Sequence, residues 1–154
     1  MTATKTCNYA VVRFLPYRET GEFVNVGVVL FCREARLFDV ALETEKRQRV
    51  TDFFPELDPE LFTTGRRGFF EELRRVKQLL KADNRTLTDE ARLGVFRELV
   101  RPRESVFRFG ETGTVLAEDP AAKLKELFDR YVNRQFAKTR EYREKAGAGD
   151  LLGN

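Results

Sequence analysis

The stretch EFVNVGVVLFC at residues 22–32 constrains the fold more than any other part of the chain. It is dominated by β-branched and aromatic residues and follows a polar turn ending in Gly21, so it predicts a buried β-strand. Positions 24, 26, 28 and 30 are all apolar, whereas Asn25 and Gly27 interrupt the odd positions. An amide inside a buried strand needs a hydrogen-bonding partner or a function, which makes Asn25 the first candidate for a site.

Two more strands flank this stretch along the chain. Residues 8–16 (NYAVVRFLP) and 37–42 (LFDVAL) have the same apolar, β-branched character. Short polar turns separate each of them from the strand at 22–32. Because short links join antiparallel neighbours, these three segments predict an antiparallel meander.

The remainder of the chain is predicted to be mainly helical. Asp58-Pro59 is typical of a helix start, and apolar residues keep a 3.6-residue period from Arg67 to Ala82. A second helix is predicted from Thr88 to Val100. The clearest helix opens at Asp119-Pro120, and its apolar stripe includes Tyr131 and runs on to Phe136.

Residues 104–109 and 113–117 alternate like short strands around a turn at Gly110 to Gly113, which predicts a hairpin that joins the meander. The resulting fold class is α+β, with an antiparallel sheet packed on one side by helices. A single domain is expected over residues 1–146, followed by a flexible C-terminal tail at 147–154.

The absence of histidine from all 154 residues removes several catalytic chemistries. It excludes Ser-His-Asp and Cys-His nucleophile systems, and it excludes histidine-containing zinc sites. The chain also has no Gly-Lys dipeptide, no G-x-S-x-G elbow and no C-x-x-C pair. We therefore expect no metal and no cofactor, and binding is favoured over catalysis.

The two cysteines, Cys7 and Cys32, indicate where the protein works. Two thiols without a signal peptide fit a reducing compartment, in which both stay free and partly buried. No apolar run approaches the roughly 20 residues that span a bilayer. The expected location is the cytoplasm, with no membrane contact.

Basic residues concentrate in two predicted helical segments, 66–81 and 134–145, in a chain whose net charge is +3. The candidate nucleic-acid contacts in the first segment are Arg66, Arg67, Arg74 and Arg75. Glutamates are interleaved with them, so pairing along a solvated helix face explains the same pattern and is the favoured interpretation.

The first hairpin holds an unusual polar set, Arg13, Glu22 and Asn25. A three- or five-residue loop places Arg13 opposite Asn25, whereas a four-residue loop places it against Val26. On one interpretation Arg13 and Asn25 recognise an anionic or amide group. On the other, which is favoured, Asn25 caps a bulge at Gly27 and Arg13 is an edge charge.

Two segments, NYAVVRFLPYRETGEFVNVGVVLFCR and RPRESVFRFGETGTVLAEDPAAKLKELFDRYV, resemble the bacterial domain of unknown function 3037 family. That family has a Tyr-led first strand, a Gly-Glu-Phe-x-Asn-x-Gly-Val strand, a Pro-Arg-x-Ser segment and a late Asp-Pro helix. The matching positions are Tyr9, the run from Gly21 to Val28, Pro102-Arg103 with Ser105, and Asp119-Pro120. The resemblance spans residues 8–135.

The resemblance implies an accessory role, because members are often encoded beside a kinase similar to the HipA toxins. It implies a protein partner, with such a kinase as the candidate. The motif residues that it carries over to a site are Glu22, Asn25, Gly27, Arg103 and Ser105. A nucleic-acid-associated protein using the basic segments is one alternative. A histidine-independent enzyme is the other, and it requires these side chains and Arg13 to converge near the first hairpin.

Overall fold

The computed structural model describes residues 3–44, 48–139, 141 and 143–145, so the predicted tail at 147–154 lies outside it. Four strands form one antiparallel sheet: β1 (Lys5–Phe14), β2 (Val24–Cys32), β3 (Leu37–Leu42) and β4 (Phe107–Ala117). Their order across the sheet is β3-β2-β1-β4. The predicted meander is therefore confirmed, and β4 completes the sheet beside β1.

The helices are α1 (Gln48–Phe53), α2 (Pro59–Leu79), α3 (Asp89–Leu99) and α4 (Pro120–Tyr131), with a 3₁₀-helix at Gln135–Lys138. The side chains of Asp58, Thr88 and Asp119 accept hydrogen bonds from backbone N–H groups in the first turns of α2, α3 and α4. These caps confirm the predicted helix starts and the α+β class. None of the helices within the described residues combines the length and the apolar character needed to cross a membrane.

The sheet is covered by helices on both faces, so the expectation of one-sided packing is wrong. On one face α1, α2 and α3 build a core with the sheet whose members include Phe14, Val29, Phe31, Phe62, Leu73 and Phe96. On the other face α4 packs over Cys7, Val28, Leu30, Cys32, Leu124 and Leu127. The reason lies in β2, where every residue except Asn25 is buried, so that both of its faces need an apolar cover.

The predicted hairpin within residues 104–117 is also wrong, because β4 is one continuous strand paired with β1. Its Gly110 and Glu111 lie together opposite Val11, which forms a β-bulge. A Cβ atom on Gly110 would lie 2.1 Å from Nε of Arg13. This glycine therefore makes room for a side chain of the neighbouring strand instead of forming a turn.

The last predicted apolar stripe ends earlier than expected. Helix α4 stops at Tyr131, and Arg134 adopts a left-handed backbone with φ 53° and ψ 45°. The left-handed conformation takes the chain out of the helix. Phe136, which was expected in the core, is 48% exposed.

A buried arginine joins α2 to α3. Arg92 is fully buried, and its guanidinium donates to the carbonyls of Leu80, Lys81 and Asn84 at 2.6, 2.8 and 2.5 Å. These carbonyls follow the C-terminal end of α2, where helical partners are lacking. Arg92 thus supplies hydrogen-bond donors to the carbonyls of the turn between the two helices and holds the start of α3 against this turn.

We expect Arg92→Met to lower the free energy of unfolding by about 3 kcal/mol, because three carbonyls lose their donor in a buried place. The matched control is Arg97→Met on the exposed face of the same helix. That control should change stability by no more than about 0.5 kcal/mol. Urea denaturation of both variants measures the difference, and equal losses would contradict the role given to Arg92.

Both cysteines are buried free thiols, as expected. They occupy directly opposite positions on the neighbouring strands β1 and β2. Burial, and then a hydrogen bond with Cys32, raises the pKa of the Cys7 thiol to about 12 from its ordinary value of 9.0. A thiol with so high a pKa stays protonated and unreactive in the folded protein at neutral pH.

The raised pKa makes stability depend on alkaline pH. Cys7 ionises near pH 9 in the unfolded chain and near pH 12 in the folded one, so its stabilising contribution is complete below pH 9 and lost between those values. The free energy of unfolding can be measured with urea under reducing conditions. Above pH 9 its value for wild type, relative to Cys7→Ala, should fall by about 1.4 kcal/mol per pH unit. If the difference in free energy of unfolding between wild type and Cys7→Ala stays constant from about pH 8 to about pH 10.5, the pKa of Cys7 is not raised by burial.

Candidate binding site

Arg13 and Asn25 share one face of the sheet. Their Cα atoms are directly paired between β1 and β2, in the register expected from a five-residue turn. The connecting segment is longer than any loop length considered, since pairing begins only at Phe14 and Val24. The bulge expected at Gly27 lies one residue earlier, because Val26 is inserted between the paired positions.

Arg13 is not the edge charge that the favoured interpretation expected. Strand β4 covers that edge, which places β1 inside the sheet. The guanidinium of Arg13 lies 4.0 Å from the centre of the Phe23 ring, and its Nη2 is 3.8 Å from Oε1 of Glu111. Its Nε is buried without a hydrogen-bond partner in the described structure. The arginine thus holds Phe23 in place through a cation–π contact.

Asn25 uses one end of its amide to hold α4, whereas its Oδ1 is buried without a hydrogen-bond partner in the described structure. Its Nδ2 donates to the carbonyl of Tyr131, the last residue of α4, at 3.3 Å. An arginine of α1, Arg49, donates through Nη1 to the next carbonyl, that of Val132. The last carbonyls of a helix have no partners within the helix, so these two donors satisfy the end of α4 and join it to β2 and α1.

A cleft of about 660 Å³ opens where the start of β2, helix α1 and the end of α4 meet. A second depression of about 540 Å³, which includes Phe136, adjoins it. Asn25, Tyr131 and Arg134 line both spaces, so we treat them as one surface and call it the α4 cleft. Both volumes fall within the range of ligand-binding clefts.

Three aromatic side chains of the α4 cleft are exposed to solvent. Phe23, Phe53 and Phe136 are 36, 49 and 48% exposed, and they are three of the six large exposed hydrophobic residues in the described part of the chain. Exposed phenyl rings cost solvation free energy unless a partner covers them. Their concentration around one cleft makes this surface the candidate binding site of the described structure.

The same cleft has more basic than acidic groups. Arg49, Arg130 and Arg134 line it together with a single carboxylate, Asp52. Burial lowers the pKa of the Arg49 guanidinium, the charge of Arg134 lowers it further, and Glu43 opposes both effects. Neither Arg49 nor Arg134 forms an ion pair within the described part of the chain. The surface is therefore suited to an anionic group.

Tyr131 is positioned by a second tyrosine on the sheet. The hydroxyl groups of Tyr9 and Tyr131 lie 3.1 Å apart, and their ring centres are 5.9 Å apart. This hydrogen bond, together with burial, raises the pKa of Tyr9 to about 12. The Tyr9 hydroxyl is therefore protonated at neutral pH, and its hydrogen bond fixes Tyr131 in the cleft wall.

The motif glycine of β2 has a packing role. A Cβ atom on Gly27 would lie 2.7 Å from Cδ1 of Leu42 and 2.8 Å from the carbonyl oxygen of Ala41. Strand β3 therefore approaches β2 so closely that a larger residue would displace it. Gly27 faces the core opposite the α4 cleft, since it pairs with Val12.

The other motif residues lie away from the cleft lining. Glu22 is exposed beside the turn, where its backbone N–H donates to Thr20. Arg103 contacts Glu98 in a groove between α2 and α3, at 3.2 Å from the carboxylate. Ser105 uses its carbonyl to accept a hydrogen bond from Arg108. Of the motif side chains considered, Arg13 and Asn25 are the two that the fold places next to each other.

The candidate nucleic-acid contacts on α2 are held by neighbours on the protein. Arg74 pairs with Glu71 at 3.4 Å and Arg75 with Glu72 at 2.7 Å. Arg66 lies over Phe70 and donates to the carbonyl of Glu43, and Arg67 lies next to it on the helix. Arg74 and Arg75 thus show the pairing with interleaved glutamates that the favoured interpretation expected, whereas Arg66 contacts an aromatic ring and a backbone carbonyl. Part of the second basic segment, at residues 140 and 142, lies outside the described residues.

Sequence reasoning missed most of the α4 cleft. Tyr131 was placed in an apolar stripe, Arg134 in a basic segment, and Phe136 in the core. Arg49 and Phe53 belong to α1, a six-residue helix that the sequence did not indicate. The described residues contain no group of three or more Cys, Asp or Glu side chains arranged to hold a metal ion.

Comparison with known proteins gives one family. No curated protein and no solved structure matches the chain. A family model described as "Protein of unknown function (DUF3037)" matches residues 9–132. The matched range includes the paired residues Arg13 and Asn25 and all of α4, so it covers most of the sheet and most of the cleft lining. The chain belongs to the DUF3037 family.

Proposed function

We propose that this protein is a non-enzymatic accessory protein that binds a protein partner through the α4 cleft. The observation that carries this proposal is the grouping of Phe23, Phe53 and Phe136 around Arg49 and Arg134. Aromatic residues and arginine are enriched at the centres of protein–protein interfaces, where they contribute most of the binding free energy.

The chemistry of the cleft favours binding over catalysis. Guanidinium groups donate hydrogen bonds but do not exchange protons near neutral pH, and phenyl rings supply apolar area. The amide of Asn25 and one Nη of Arg49 are already used to hold the end of α4. A histidine-independent enzyme at the hairpin would also need Arg103, which instead contacts Glu98 in another groove.

The resemblance of the sequence names the first partner to test, a HipA-like kinase encoded by a neighbouring gene. The proposed setting is the bacterial cytoplasm, where two free thiols persist in the reduced state. Nucleic acid is not favoured as the partner, because Arg74 and Arg75 are paired with glutamates on their own helix.

The experiment is affinity purification of the tagged protein at native expression level, with the products of neighbouring genes quantified by mass spectrometry. We expect the kinase-like neighbour to be recovered with wild type, and at least about tenfold less of it with Phe53→Ala, since a central aromatic residue contributes 2 kcal/mol or more. The matched control is Leu116→Ala on β4, which removes a more exposed hydrophobic side chain outside the cleft.

Two results would contradict the proposal. One is recovery of the protein alone, without any product of a neighbouring gene. The other is an equal loss of the partner with Phe53→Ala and Leu116→Ala, which would place the interface elsewhere. Thermal unfolding of both variants confirms that each one is folded before purification is compared.

A further inference from the structure

Arg134 joins the two parts of the α4 cleft in an unusual backbone conformation. It lines both spaces, and its φ of 53° lies in the left-handed region that residues other than glycine seldom occupy. Arg36 is the other non-glycine residue with positive φ in the described chain, and it lies in the turn between β2 and β3. Such strained residues concentrate at binding sites.

The two parts of the cleft differ in chemistry. The smaller part presents the rings of Tyr131 and Phe136 with Arg130 and Arg134 beside them. The larger part presents Arg49, with Arg134 again at its border. When an apolar group of a ligand packs on the rings of Tyr131 and Phe136, the adjacent groups of that ligand lie near the guanidiniums of Arg134 and Arg49.

The charge of this surface specifies the sign of the ligand. Three arginines and one carboxylate, Asp52, line it, and the repulsion between Arg49 and Arg134 is relieved when an anion lies between them. Guanidinium groups bind carboxylates through paired N–H donors. A phosphate backbone would instead need an unbroken basic stripe leading away from the cleft, and the arginines of α2 are paired with glutamates.

We infer that the α4 cleft recognises a linear acidic segment of the protein partner. One large apolar side chain of that segment packs on Tyr131 and Phe136, and a nearby Asp or Glu carboxylate binds Arg134 and Arg49. This inference rests on the proposed function and specifies the chemistry of the partner.

The test uses the full chain and an array of degenerate peptides in which one Phe or Leu and one Glu are fixed at separations of one to four residues. In the control array glutamine replaces the fixed glutamate. We expect the glutamate array to bind better, and the affinity of its best peptide to fall at least about fivefold between ~50 mM and ~300 mM sodium chloride.

Arg134→Gly separates binding from stability. Glycine accepts a positive φ without strain, so this variant should unfold at the same temperature as wild type or higher. It should nevertheless bind the best peptide about tenfold more weakly, because a charge-assisted contact is lost. The matched control is Arg36→Gly, which relieves the same backbone conformation away from the cleft and should leave peptide affinity unchanged.

Several outcomes would overturn the inference. They are equal binding of the glutamine array, unchanged affinity of Arg134→Gly, tighter binding of a single-stranded oligonucleotide than of any peptide, or self-association through the cleft in sedimentation experiments. Suppose that Phe53→Ala recovers less of the neighbouring kinase than wild type does, while Arg134→Gly recovers as much as wild type. The acidic-segment inference then fails and the proposed function stands. If acidic peptides bind as expected but no neighbour is recovered, the ligand chemistry stands and the partner assignment fails.

Discussion

Burial of β2 on both faces is the constraint on which the rest of the structure depends. A strand with apolar side chains on both sides is stable only when each face is covered, and here α1–α3 cover one face and α4 the other. The one polar side chain within the strand, Asn25, faces α4 and donates to its last residue. Apolar packing on β2 and the Nδ2 hydrogen bond of Asn25 together fix the position of α4, and with it the cleft at the end of this helix.

The motif residues therefore shape the site more than they form its binding surface. Gly27 lets β3 approach β2, Asn25 holds the end of α4, and Arg13 holds Phe23. The groups proposed to meet a ligand, chiefly Arg134 and the exposed phenyl rings, lie around this framework.

Local signals in the sequence predicted the local structure well. The strands at β1–β3 and the caps at Asp58, Thr88 and Asp119 depend on neighbouring residues, so periodicity and capping chemistry were sufficient. Gly110 was misinterpreted as part of a turn because its role depends on Arg13, nearly a hundred residues earlier in the chain. The cleft was missed for the same reason, since Asn25, Arg49 and Arg134 come together only in the folded chain.

The most direct test of the central claim is amide hydrogen exchange across α4 in Asn25→Val. If the amide of Asn25 holds α4 on the sheet, amides of residues 120–131 should exchange about tenfold faster, while those of α2 and α3 keep their wild-type protection. Asn8→Val, which removes an amide from β1 on the opposite face, should leave α4 unchanged. Unchanged protection of α4 in Asn25→Val, or an equal loss of protection in α2, α3 and α4, would contradict the account.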